Sequence, residues 1–248
     1  MAAKMPCFWD WSLSDPLYPA MRLNQDALRE LELWPLWQSR NTTVAATQAS
    51  SPHRENTELQ APDWQSLKER VAQCTVCVLH KQRKQTVFGV GNESAPWLFI
   101  GEGPGAEEDA AGEPFVGQAG KLLDNMLAAI RLRRGHEVYI ANVVKCRPPG
   151  NRTPTPEEAA ACAPYLDRQI DLISPRLIVA LGKTAAARLL ASEASLASLR
   201  GHVHEYRGYP VIVTYHPAYL LRNLPDKAKA WEDLTLARQT MGRLLQNA

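Results

Sequence analysis

Four cysteines pose the first chemical question. They stand as Cys74-x2-Cys77 and Cys146-x15-Cys162 in a chain of 248 residues. A Cys-x-x-Cys is compatible with zinc, with an iron–sulfur cluster or with a redox pair, and four thiols in two pairs admit a tetrathiolate site. The fifth cysteine, Cys7, lies far away near the amino terminus and reads as a bystander. Three other segments carry residues suited to chemistry: GEGPGAEED (101–109), KCRPPGNR (145–152) and HPAYLLR (216–222). The first joins the carboxylates of Glu102 and Glu108 to Gly101, Gly103 and Gly105, where missing side chains let backbone N–H groups approach a phosphate or a base. The other two supply Lys145, Arg147, Arg152 and Arg222, cations fit for phosphate contacts, and the last opens on His216. GEGPG is no P-loop, because no Gly-Lys-Ser/Thr follows it, and its glycine spacing is not that of a dinucleotide fold.

Something must bring these segments together. At 45% hydrophobic content the chain can bury a sizeable core. No run of apolar residues is long enough to span a membrane, and MAAKMPCFWDW lacks the order of a secretory signal. We therefore expect a cytoplasmic protein without membrane contact; a monomer is expected as well, nucleoid-associated if its basic loops engage DNA. In a reducing compartment the paired thiols suit metal better than disulfides. A formal charge of +2 is too small to mark a nucleic-acid binder by itself, so any DNA surface must come from local clustering.

Three regions follow from the pattern. Residues 1–40 form a Trp-rich extension (Trp9, Trp11, Trp34, Trp37) with a short amphipathic helix expected from Asn24 to Leu33. Residues 41–62 are rich in Ser, Thr, Asn and Gln and read as a flexible linker, since they offer little to bury against the entropy of ordering. From 63 to 248 strand and helix signals alternate. PWLFIG (96–101), VYIANVV (138–144), RLIVALG (176–182) and PVIVTYH (210–216) are apolar strands, and helices are expected around 64–74, 118–132, 155–173, 183–191 and 226–246. Thr155, Pro156, Glu157 and Glu158 open the third of these as an N-terminal cap should. Apolar strands separated by helices predict an α/β fold with a central four-stranded parallel sheet flanked by helices. The site of such a sheet lies at the carboxyl ends of its strands. All three unusual segments follow strands there.

Taken together, GEGPGAEEDAAGEPFVGQAGKLL, NVVKCRPPGNRTPTPEE, HPAYLLR and the four cysteines resemble the iron–sulfur, family 4 branch of the uracil-DNA glycosylase superfamily. The resemblance runs from about Trp64 to the end. It implies hydrolysis of the bond between uracil and deoxyribose in single- or double-stranded DNA, leaving an abasic site. It also implies a [4Fe–4S] cluster on Cys74, Cys77, Cys146 and Cys162 in preference to zinc, with a structural task, since glycosidic hydrolysis transfers no electrons.

The same resemblance implies roles. A base inside a duplex must be extruded into a pocket and read on its Watson–Crick edge. Phe115 matches the stacking aromatic, and Asn142 the residue whose amide offers both a donor and an acceptor to uracil. His216 would stabilise charge on the departing base. Glu102 and Glu108 would position water or stabilise the positive sugar, and Glu108 is a candidate to exclude thymine, because Gly105 stands where other branches carry a tyrosine. Within HPAYLLR, Tyr219, Leu220 and Leu221 are candidates to fill the gap left by the flipped base.

The extension raises a second function class. LRELELWPLWQSR faintly resembles the peptide by which the psi subunit of bacterial DNA polymerase III holds chi, which would make residues 24–40 a replication-protein ligand. On that alternative the protein is a noncatalytic DNA-binding adapter. Glu102, Phe115, Asn142 and His216 occurring together favour the enzyme.

Overall fold

The computed structural model describes residues 63–246. The expectations for the Trp-rich extension, the linker, Cys7 and the partner-binding stretch 24–40 lie outside the described residues.

Asp63 caps the first helix, α1 (Trp64–Ala72), its carboxylate accepting the Ser66 N–H. Two short strand pieces follow, β1 (Val90–Gly91) and β2 (Trp97–Gly101), then helices α2 (Ala106–Ala111) and α3 (Gln118–Ala129). Next come β3 (Val138–Asn142), the long α4 (Pro156–Ile173), β4 (Leu177–Leu181), α5 (Lys183–Leu190) and the single turn α6 (Leu196–Leu199). The chain ends with β5 (Val203–Tyr206), β6 (Tyr209–Thr214), the short α7 (Pro217–Leu220) and α8 (Asp226–Gln246).

The strands form one six-stranded sheet in the order β1-β3-β2-β4-β6-β5. Its middle is the expected parallel quartet, β3, β2, β4 and β6. The two antiparallel edges, β1 on β3 and β5 on β6, were not expected. β1 has only two residues, too few to show a period. β5 alternates exposed and half-buried positions, as an edge does. Its hairpin carried a readable signal: Arg207 and Gly208 sit between the paired Tyr206 and Tyr209 with φ of 50° and 86°, the backbone that a two-residue hairpin loop favours.

Burial explains why the four central strands are apolar throughout. Their side chains alternate between two cores. Leu98, Ile100, Tyr139, Ala141, Ile178, Ala180, Val211 and Val213 face one, which also holds Leu166 and Ile170 of α4. Phe99, Val138, Ile140, Val179 and Ile212 face the other, with Leu123 and Leu127 of α3 and Leu234 and Ala237 of α8. Trp64 of α1 meets Phe88 and Tyr139 edge-on, both at 5.4 Å, and so ties the first helix to the sheet. No helix among the described residues is long and apolar enough to cross a membrane.

Candidate active site

Register places the site. In the parallel ladder Gly101 pairs with Asn142, so β2 and β3 end side by side, and the Val143 and Val144 amides donate to the carbonyls of Gly101 and Glu102. Across the sheet β4 and β6 end level, with the Gly182 N–H on the Thr214 carbonyl. The loops that follow enclose a cleft of about 460 Å³ lined by Glu102, Gly103, Gly105, Glu108, Phe115, Asn142, Arg152, His216, Tyr219 and Arg222. Residues more than a hundred positions apart thus meet at the carboxyl end of the sheet, as the strand pattern predicts.

Phe115 and His216 form the cleft's aromatic wall, ring centres 5.5 Å apart. Phe115 is buried and has φ of 56°, a left-handed backbone unusual for a bulky side chain. Gly101 makes room for it. A Cβ there would lie 2.5 Å from the tip of the Phe115 ring and 2.5 Å from Asn142 Oδ1. Asn142 is 2% exposed, and its Oδ1 is a buried acceptor without a protein partner. Leaving such an oxygen unpaired costs about 1–3 kcal/mol, which a donor on a bound ligand would recover.

His216 caps α7, its Nδ1 accepting the Ala218 N–H at 3.2 Å. That bond places the proton of a neutral imidazole on Nε2. Burial lowers the pKa to about 4, with Arg222 adding to the effect and the Glu108 carboxylate opposing it. The ring is therefore a neutral N–H donor at physiological pH. Gly182, at φ 89°, lets it pack closely, since a Cβ there would come within 2.9 Å of His216 Cβ.

The two carboxylates differ. Glu108 is fully engaged: Oε2 accepts the Gly105 N–H at 3.1 Å, and Oε1 accepts those of Val116 at 3.0 Å and Gly117 at 3.1 Å. Glu102 receives the Thr184 hydroxyl on Oε2.

Two expected DNA contacts, Lys145 and Leu220, need correction. Lys145 is 1% exposed, so it cannot reach a phosphate; its Nζ donates to the Asn142 carbonyl at 2.9 Å and to Gln169 Oε1 at 2.5 Å. Burial lowers its pKa to about 8. Leu220 is 1% exposed and packs in the core beneath the cleft, so it is no wedge. Leu221 and Leu224 are exposed instead, at 42% and 60%. Tyr219 lines the cleft, stacked on Tyr215 and donating its hydroxyl to Asp226. Arg152 also lines it, but its fork is held by Glu158 at 2.6 and 2.8 Å. Arg147 bonds Asn151 and lies outside the cleft lining, whereas Arg222 is exposed at its rim.

Behind the site Cys74, Cys77, Cys146 and Cys162 line one pocket with His80, Arg83, Lys145 and Tyr165. Arg83 donates to Cys146 Sγ at 3.1 Å and the Lys145 N–H to Cys162 Sγ at 3.3 Å. Burial raises both thiol pKa values, that of Cys162 to about 11, while Arg83 and Lys145 pull them back. Among the described residues no group of three or more His, Cys, Asp or Glu side chains is arranged to hold a metal ion. The chemistry of the donor set, four sulfurs of which two receive N–H groups, fits a thiolate-bound metal or cluster.

Sequence reasoning missed Thr184, Gln169, Arg83 and Arg134. Their partners lie 82, 24, 63 and about 20 positions away, and none stands in a motif. Arg134, inside RLRRGHE, reads as ordinary surface charge.

At the carboxyl edge of the sheet an aromatic slot, an orphan amide acceptor and a neutral histidine thus form a cleft suited to a planar, hydrogen-bonding ligand. The chain matches the Uracil DNA glycosylase superfamily over residues 88–235 and belongs to it. It is 49% identical over 174 residues to the type-4 uracil-DNA glycosylase of Thermotoga maritima, spanning 68% of this chain and 90% of that one. It is 48% identical over 159 residues to the type-4 enzyme of Archaeoglobus fulgidus (61% and 79% of the two chains). With that of Pyrobaculum aerophilum it shares 44% over 182 residues (70% and 92%).

Proposed function

We propose that the protein is a uracil-DNA glycosylase of the type-4 kind, hydrolysing the N-glycosidic bond of deoxyuridine in DNA. The observation that carries this reading is the unpaired Oδ1 of Asn142 in the same cleft as Phe115 and His216. Uracil presents an N3–H donor beside a carbonyl acceptor, the complement of a side-chain amide. Phe115 supplies the face on which the extruded base stacks.

As the C1′–N1 bond breaks, its electron pair passes to the base and negative charge gathers on the uracil oxygens. The Nε2–H of His216 donates to that charge, and a neutral donor gains strength there as the charge develops. Water adds to C1′. Its hydroxyl ends on the sugar and its proton on the released uracil. Glu102, oriented by Thr184, is the carboxylate fitted to order that water. Glu108 has both oxygens committed to backbone N–H groups, which makes it a loop-holder.

Cys74, Cys77, Cys146 and Cys162 would hold a [4Fe–4S] cluster, which would tie the segment after α1 to the β3–α4 loop and to α4 rather than transfer electrons. Arg222 and the exposed Leu221 would meet the DNA backbone and the vacated stack.

The test is direct. Uracil-containing single- and double-stranded oligonucleotides are incubated with wild type and with His216→Ala, then treated with alkali. Strand breakage by wild type, lost or greatly slowed in the variant, is expected; no breakage of either substrate by wild type would overturn the reading.

A further inference from the structure

Phe115 holds a strained backbone, and two side chains of opposite charge grip the segment around it. Arg134, on the loop between α3 and β3, donates from Nη1 to the Pro114 carbonyl and from Nη2 to the Phe115 carbonyl, each at 2.8 Å. Its Nε donates to Asp124 of α3 at 3.0 Å, which fixes the plane of the fork. Immediately downstream, the Val116 and Gly117 amides donate to Glu108. Four consecutive residues thus have carbonyls held by a guanidinium and N–H groups held by a carboxylate. Gly120 completes the seat: a Cβ there would stand 1.8 Å from the Phe115 carbonyl oxygen.

A non-glycine residue in the left-handed region is strained and persists where its surroundings over-determine it. Here the surroundings are identified. Turning Phe115 to an ordinary backbone would swing its carbonyl off Arg134 and its ring away from Gly101 and His216. We propose that Arg134 is a positioning residue for base recognition, holding the Pro114 and Phe115 carbonyls so that the Phe115 ring stays where an extruded base stacks. Only an arginine spans the set. A lysine ammonium is a point donor without the planar fork that meets two carbonyls and a carboxylate together. Arg134 does not touch the base; it acts through Phe115.

The inference rests on the glycosylase reading and adds a residue to it. The experiment is a double-mutant cycle of Arg134→Ala and Phe115→Ala, read as kcat/KM on a uracil oligonucleotide and as affinity for the same oligonucleotide by fluorescence anisotropy. Arg134→Ala in the Phe115 background is expected to lower kcat/KM by about 10- to 100-fold, the range that a displacement near 1 Å can cost. In the Phe115→Ala background the same change is expected to cost less than about threefold, because there is no ring left to place. Equal losses in both backgrounds would mean a general structural role and overturn the proposal, as would no loss in either. Arg134→Lys, run through the same cycle, replaces the alanine variant if that fails to fold, and is expected to recover only part of the activity. Wild type is measured alongside: if it cleaves nothing, the glycosylase reading fails, and the affinity arm alone then decides whether Arg134 acts through Phe115.

Discussion

The ammonium of Lys145 lies 2.9 Å from the backbone carbonyl of Asn142, while the N–H of the same lysine points at Cys162 Sγ. One residue therefore touches both the strand end that carries Asn142 and the pocket that gathers the cysteines. A cation expected to face DNA is a buried tie between the two sites.

Lys145→Met should destabilise the fold without changing how the protein meets phosphates. Removing the ammonium leaves Gln169 Oε1 and the Asn142 carbonyl short of a donor, at about 1–3 kcal/mol for each buried group. Urea unfolding should show that loss. The salt dependence of DNA affinity should keep its slope, whereas loss of a true phosphate contact would reduce it by about 1. Arg222→Ala is the contrast, with a shallower slope and unchanged stability.

The pKa of His216 fixes a pH signature. Its folded value, about 4, lies below the ordinary histidine value of 6.5. The unfolded chain therefore binds the extra proton first, and stability falls as pH drops from about 6.5 toward 4. Activity should follow the neutral ring. A pH–rate profile should show no histidine limb near 6.5 and a decline only on approaching pH 4. His216→Ala should lower kcat by about 10²–10³-fold, the usual cost of one charge-stabilising donor.

The two neighbouring leucines should separate stability from DNA engagement. Leu220→Ala opens the core and should cost about 2–5 kcal/mol in unfolding free energy. Leu221→Ala should leave stability within about 0.5 kcal/mol, as exposed substitutions do. It should reduce cleavage of uracil in duplex DNA by roughly tenfold, the equivalent of about 1.4 kcal/mol of apolar contact. Single-stranded substrate, which leaves no gap in a stack, should be cleaved as by wild type.

The cysteine pocket makes its own prediction. Purified protein should be brown and carry iron, and Cys146→Ser should lose both the colour and several degrees of melting temperature, since a bound cofactor stabilises the state that binds it. Activity per folded molecule should fall far less than in His216→Ala. A colourless wild type with bound zinc would replace the cluster by a different thiolate metal.

Much of this molecule was legible in one dimension. Runs such as WLFIG and LIVAL are apolar at every position because both sheet faces are covered, and caps such as Thr155–Glu158 act within a turn. Motifs after strands then locate the cleft, because parallel strands all end at one edge. These signals are local, so the order of residues carries them. What a side chain does once it arrives depends on partners that order does not show. Lys145 and Arg222 are both cations in basic loops, yet one is sealed beneath the sheet edge and the other stands in solvent. Leu220 and Leu221 are adjacent, yet the step of about 100° between successive helical positions sends one to the core and the other to the surface. Arg134 reaches the Phe115 carbonyl from the loop that follows α3. The sequence by itself determined the parallel sheet, the cleft and the cysteine set; tertiary structure alone decided which charges are buried and which loops are held, because burial and hydrogen-bond partnership come from residues distant in the chain.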